Sequence, residues 1–519
     1  MSPGVTPAPK PVTGSVSGVS SGTLFIKVVV NGAVVSNVFI NVSGSTGVAS
    51  VVPARASTLG VGTFSGTITV TACLNDPACA TGQLAGSPQT INVSYQVASP
   101  VQGDAVASRI AIANTVGNVI VRGNGFSQAA VQDVTFGGLS ATGFSRVGDT
   151  EIHASHPALL AGSHSVQLIG SSGPLPFAAT LVVIDPPNYH PATLNYPAPP
   201  QEVRALLYDA ERQALLVAVS FANRTGNQIL RYQFANGSWS PTPTSVVVSD
   251  LRDIALSLDG AKVLALADAS LTLVDPASLT FGTVTNFAFL QPGFEFFKNL
   301  VIANDGFAFV TTGLNGSGLT EPYLYSTSNP GFTSLAANDS SLFLDQATPG
   351  VSEDGSLVAI AQSDNPPVFK YVASSSVLSP TSVAIRQIQQ NIAQVIPALN
   401  RSGTRIVLNG NANLNGTDAT SLYDGSFMGL GGITSEPNFP TTQALAIKPD
   451  GTRAYTFDSS LKVRTFDLTQ SPSGGLFPEV LPGTPANPGA GPPARMKISP
   501  DGGTLFIAAG TAIVILPAP

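Results

Sequence analysis

From residue 200 onward the chain repeats one pattern: an apolar strand, a tight turn usually spelled Asp-Gly, and a second apolar strand. The turn glycines are Gly260, Gly306, Gly355, Gly403, Gly451 and Gly502, at spacings of 46, 49, 48, 48 and 51 residues. One further step back reaches Tyr208-Asp209-Ala210-Glu211-Arg212, before the aliphatic run Leu215 to Val219, which makes seven units. A period of about 40 to 50 residues in a chain of strands predicts four-stranded propeller blades, because one blade cannot bury its faces alone and must stack on its neighbours. In the second unit the strands fall at Asp253 to Ser257 (A), Lys262 to Ala267 (B), Leu271 to Asp275 (C) and near Thr280 to Thr285 (D). The seventh unit supplies Arg495 to Ser499, Thr504 to Ala509 and Ala512 to Leu516, and there the sequence stops. Its missing fourth strand is expected from about 192–196, since an open ring would leave unpaired edges.

Helical periodicity is nearly absent elsewhere too, and runs of Val, Ile, Thr and Phe alternate with Gly, Asn, Ser and Pro turns, so the fold class is all-β. Charged residues are only 10% of 519, while hydrophobic residues at 43% suffice to fill cores, so the Gly and Pro content is that of turns rather than of disorder. The expected order is a Pro-rich leader (1–10), an immunoglobulin-like sandwich (11–99), a second sandwich (100–186) and a seven-bladed propeller (187–519). The Pro-rich stretches Asp185 to Pro191 and Pro197 to Pro200 mark the linker. In the first sandwich, Leu24 to Val30 is expected to turn at Asn31-Gly32 into Val34 to Val42 as a hairpin, with further strands at Gly66 to Ala72 and Gln89 to Val97.

Three resemblances accompany these patterns. Ser57 to Val97, with Gly62-Thr63-Phe64, Ile68-Thr69-Val70, Gly86-Ser87-Pro88 and Val93-Ser94-Tyr95, resembles the closing half of Ig-like modules of bacterial exported proteins. Val119 to Ser127, followed by Val134-Thr135-Phe136-Gly137-Gly138, Ala161-Gly162 and Val166-Gln167-Leu168, resembles the IPT/TIG family, which implies a spacer or recognition module without catalytic residues. The turns Ser257-Leu258-Asp259-Gly260, Lys448-Pro449-Asp450-Gly451 and Ser499-Pro500-Asp501-Gly502 resemble those of bacterial YVTN-type and lactonase-like propellers. That motif is structural, and function has to be argued from a site.

Cys73 and Cys79, the two cysteines of the chain, read as a local disulfide and so as an oxidising compartment: periplasmic, outer-membrane-anchored or extracellular. Met1 is followed directly by Ser2-Pro3-Gly4, with no apolar leader, which fits a chain whose signal peptide has been removed. A lipid anchor at the native N terminus belongs to the same expectation. No apolar run approaches the ~18 residues of a membrane-spanning helix. A net charge of -7, with no run of basic residues, gives no footprint for nucleic acid.

Several chemistries lack their residues. The single Trp239 and the absence of a Cys-x-x-Cys-His disfavour quinone and haem propellers. A Ser-His-Asp triad has only His190 at the propeller entrance to draw on. His153 and His156 are three apart on a strand, so they point to opposite faces, and with His164 they do not suggest a metal. No catalytic residue, cofactor or metal ligand is assigned.

One constellation remains. Eight or seven residues before each turn glycine stand Arg204, Arg252, Lys298, Gln443 and Arg495, so four of seven blades place a cation where strand A begins. Such a rim would hold carboxylate or sulfate, unless Glu202, Asp250, Asp253 and Glu295 neutralise it. The favoured reading is a non-catalytic surface protein whose Ig-like stalk presents a propeller for recognition or adhesion, with an extracellular glycan or surface protein as partner. The alternatives are a propeller hydrolase or lyase acting on a lactone or polysaccharide, and a structural component of an extracellular or envelope assembly.

Overall fold

The computed structural model describes residues 10–519 apart from 16–20, 44–45, 60–61, 98–104, 124, 127–130, 171–172, 176, 222–225, 290–293, 316–318, 327–329, 337–339, 345–346, 363–366, 385–396, 413–417, 435–441, 487 and 489–493. The leader before Lys10, and Asn124 and Ser127 of the second sandwich's Gly-rich turn, lie outside the described residues. No described helix is long and apolar enough to cross a membrane.

The N-terminal sandwich packs one sheet (Lys10–Ser15, Thr46–Pro53, Val35–Ser43) against another (Leu24–Asn31, Gly62–Leu74, Gln89–Val97). The expected Asn31-Gly32 hairpin does not form. Leu24–Asn31 pairs with Gly62–Leu74, and Val35–Ser43 pairs with Thr46–Pro53, so the turn carries the chain from one sheet to the other. Gly32 has the positive φ (99°) that the dipeptide signals. What overrides the local cue is burial: Val34 and Val35 join Ile68, Val51 and Tyr95 in the core between the sheets. Gly66 makes room for the crossing, because a Cβ there would lie 2.6 Å from the Asn31 carbonyl oxygen. Cys73 and Cys79 form a disulfide across a Cα–Cα distance of 5.5 Å, and both are buried.

The second sandwich has two sheets closed over Val121, Phe126, Val134, Phe136, Ile152, Val166, Leu168 and Leu181. In one, Ala179–Ile184 runs parallel to Ile110–Ile112. In the other, Glu151–His156 lies between Gly143–Val147 and Gly117–Arg122. His153 is exposed and His156 buried, on opposite faces of their strand.

Seven antiparallel sheets follow, six of four strands and the first of five, each meeting the next through its first strand, strand A. The A strands are Glu202–Asp209, Leu251–Leu256, Glu295–Ile302, Thr348–Val351, Pro397–Leu399, Thr442–Ile447 and Arg495–Ile498, and the last contacts the first. The ring is therefore a closed seven-bladed propeller. Blade seven takes its fourth strand from Ala192–Asn195, which pairs antiparallel with Ala512–Pro517. Leu194 and Tyr196 from that segment are buried with Val203, Leu215 and Phe506, so the first and last blades share one core. The six turn glycines have φ between 64° and 83°, which only glycine adopts without strain. Gly355, Gly403, Gly451 and Gly502 also sit tightly on the preceding blade: a Cβ on Gly355 would lie 2.6 Å from the backbone nitrogen of Asn304.

The second sandwich is seated on the turn face of the propeller. Arg109 pairs with Glu211 of blade one at 2.6 Å, and its guanidinium lies against the turn glycine Gly260 of blade two. Arg122, paired with Glu151 at 3.0 Å, donates to Asn304 of blade three. Ile112, Val182 and Ile184 bury an apolar seam against Ala210. Arg55 of the first sandwich also donates to the Ser375 carbonyl in blade four, so both sandwiches touch the propeller instead of forming an extended stalk beneath it.

Candidate functional site

The A strands enclose a central channel of about 470 Å³, lined by residues of all seven blades and, at one end, by Ala107, Ser108, Arg109 and Ile110 of the second sandwich. Its character follows from strand geometry. Along an extended strand alternate residues share a direction, so positions seven and five before each turn glycine form two tiers of the wall.

Before those tiers, four A strands carry a β-bulge at one common position. The ladder skips a residue between Val203 and Ala205, Leu251 and Asp253, Phe297 and Asn299, and Thr442 and Ala444. The skipped residues are Arg204, Arg252, Lys298 and Gln443. A bulge re-aims its side chain, and of these four only Arg204 lines the channel. Arg252 pairs with Asp268 and lies 4.2 Å over the Phe296 ring. Arg204 pairs with Glu202 at 3.0 Å. Arg495 belongs to the next position along, beside Asp253 and Asn299 in the channel wall. Its Nε donates to the Arg204 carbonyl at 2.7 Å, bringing these two cations together across adjacent blades. The five residues singled out from sequence thus occupy five consecutive blades as an arc, with Arg204 and Arg495 inside the channel and Arg252, Lys298 and Gln443 outside its lining.

Sequence reasoning missed Lys497. It lies two residues beyond Arg495 on the same strand, and so on the same side, in the second tier. The other six blades contribute Leu207, Ala255, Val301, Gly350, Ala398 and Ala446 to that tier. Lys497 is a cation in an otherwise apolar belt, its side chain is exposed to the channel solvent, and among the described residues it makes no hydrogen bond or ion pair. Desolvation lowers its pKa, opposed by Asp253 and reinforced by Arg495. Arg495 is likewise held below its ordinary value by desolvation. The signal was present in the repeat, where one unit has Lys and six have aliphatic residues or Gly at the same offset.

Asp253 is the anion of the upper tier. Its Oδ2 accepts from the Leu300 backbone N–H at 2.9 Å and from Asn299 Nδ2 at 3.2 Å, which ties blade two to blade three. Its Oδ1 accepts from the Ile254 N–H at 2.8 Å. Burial pushes its carboxyl up to about 6, against the pull of those hydrogen bonds and of Arg495. At the floor, Arg401 pairs with both oxygens of Glu353 at 3.1 Å and donates to the Pro500 carbonyl at 2.9 Å, a strut from blade five to blades four and seven. Among the described residues no group of three His, Cys, Asp or Glu side chains is placed to hold a metal.

No family model matches the chain, and no curated protein matches it. Among solved structures, a chain of Kuenenia stuttgartiensis hydrazine synthase is similar at a TM-score of 0.47 and 14% identity, over 61% of this chain and 96% of that one. The β-propeller domain of Myceliophteria thermophila Cps50 (Swd1) is similar at a TM-score of 0.44 and 9% identity, over 64% of this chain and 100% of that one. Likenesses of this size carry no chemistry, and the assignment of an all-β protein with a seven-bladed propeller rests on its own strand pairing and closed ring.

Proposed function

We propose that this chain is a non-catalytic recognition protein of the cell exterior, whose propeller channel holds the anionic group of an acidic glycan. One observation carries the reading: Lys497 places an exposed cation, with no ion pair or hydrogen bond among the described residues, in the channel wall, two residues along the strand from Arg495. Lys497 is solvent-accessible within the channel, so its ammonium is open to an incoming anion, and a carboxylate between Lys497 and Arg495 would make charge-assisted hydrogen bonds to both. Asp253 is not set up as a general base, since both its oxygens are engaged by backbone and amide donors. Phe294, exposed at the start of blade three, and Phe296 beneath Arg252 offer faces for sugar rings near the arc. An exported setting agrees with the Cys73–Cys79 disulfide.

The test is retention of polygalacturonate, alginate, hyaluronan and heparin by the full chain at low and high salt, with the recovered glycans analysed for cleavage. Salt-sensitive retention without cleavage is the expected result. Retention accompanied by shortened or unsaturated products would instead establish the lyase alternative, for which the depressed Lys497 pKa is the favouring feature.

Affinity should also depend on pH. Above about 6 Asp253 is ionised and the channel trio of Arg495, Lys497 and Asp253 sums to one positive charge. Below it Asp253 is neutral and the sum is two, while a uronate with a pKa near 3.5 stays ionised. Binding should therefore tighten several-fold as pH falls from 7.5 to 5, with proton uptake on binding near pH 6. Among the described residues no histidine lines the channel, and Glu353 on its floor, a second carboxyl pushed up by burial, is held by Arg401, so the Asp253 variant is what separates the two. Titration calorimetry across the range checks it: Asp253→Asn should flatten the profile, and a flat wild-type profile would exclude Asp253 from the site.

A further inference from the structure

The second sandwich sits at one end of the channel. Strand A runs from the arc to the turns, and at the turn end the second sandwich lays Ala107 to Ile110 across the channel. That floor is fixed by the Arg109–Glu211 and Arg122–Asn304 contacts and by the seam of Ile112, Val182 and Ile184 on Ala210. The Arg401–Glu353 pair, reaching to Pro500, crosses beside it. Ser108 on this floor is 5% exposed, and among the described residues its hydroxyl has no hydrogen-bond partner. An open propeller channel would let a polymer thread through it. Here the second sandwich lies in the way at the turn end, with Ala107 to Ile110 in the lining.

We propose that the channel takes the end of an acidic glycan chain, a terminal uronate, and not a segment within the chain. The proposal rests on the reading of the channel as an acidic-glycan site and adds the part of the polymer that enters. From the Arg495 tier to the turn is roughly five residues of extended strand, about 16 Å. The volume of 470 Å³ lies toward the small end of ligand pockets, which span roughly 300–1,000 Å³. A well of that depth and volume admits a terminal ring or two, with the terminal carboxylate at Arg495 and Lys497 and the outermost ring hydroxyls directed to the floor. A mid-chain uronate would have to fold the polymer double to bring its carboxylate to Lys497.

The experiment uses the full chain and whichever of polygalacturonate, alginate or hyaluronan it retains, cut to a series of mean lengths at constant total mass. If chain ends are bound, halving the mean length doubles the number of sites per unit mass, and the monomeric uronate competes with the polymer. If sites per unit mass do not change with length, internal segments are bound; the terminal assignment is overturned while the recognition reading stands. If none of the three polymers or their fragments is retained at low salt, both fall together. Replacing the terminal carboxylate by a neutral methyl ester, with internal carboxylates left free, should abolish retention. Persistence of binding after that change also overturns the proposal.

Discussion

A Leu194→Asp substitution should lower the melting temperature of the propeller by about 10 °C or more. Leu194 is 5% exposed in the core shared by the first and last blades, against Tyr196, Val203, Phe506 and Ile513. Losing its burial costs about 2 kcal/mol, and an unpaired carboxylate in its place costs several more. Together these approach the whole of an ordinary domain's margin of about 5–15 kcal/mol, and each kcal/mol moves a domain of a few hundred residues by roughly 2–4 °C. The site matters because Ala192–Asn195 is the one strand joining the chain's middle to its C-terminal blade. Thr193→Asp, an exposed neighbour on the same strand, should change stability by less than about 0.5 kcal/mol. Calorimetry of the two variants checks this. Equal melting of Leu194→Asp and the parent would mean that the strand does not hold the ring closed.

Lys497→Gln should weaken binding of an acidic glycan about 10- to 100-fold, since a hydrogen bond to a charged partner is worth roughly 1.5–3 kcal/mol. The same change should leave stability within about 0.5 kcal/mol of the parent, because Lys497 is exposed and the change breaks no described hydrogen bond. Lost affinity at unaltered stability separates a binding role from a structural one. Lys497→Arg keeps the charge and should retain most of the affinity. Lys298→Gln, at a bulge outside the channel lining, should change affinity less than about twofold. Binding that survives Lys497→Gln intact, with stability unchanged, would remove Lys497 from the site.

Part of the site was legible in the repeat. The offset from the turn glycines found Arg204 and Arg495, and both line the channel. The same offset grouped them with Arg252, Lys298 and Gln443, which it had no means to distinguish. All four side chains at the bulge share that offset, and where each one goes depends on the partner it finds, Asp268 and Phe296 for Arg252 but Glu202 for Arg204, which no offset encodes. Lys497 was overlooked for a different reason. A Lys on a strand reads as solvated, and only the closed ring turns that face into an apolar wall.

The sequence by itself determined the all-β class, the turn positions and the cysteine pair, because each depends on neighbours a few residues apart: period-two alternation, glycine at positive φ, a six-residue cysteine spacing. Tertiary structure alone decided that the Asn31-Gly32 turn crosses between sheets, that Arg252 leaves the channel for Asp268 and Phe296, and that the second sandwich sits at the channel's far end. Those outcomes turn on contacts between residues some 30 to 300 positions apart, such as Val34 with Ile68, Arg109 with Glu211, and Arg495 with Arg204. Burial and pairing at such separations follow from the packing of whole sheets, which no local pattern encodes.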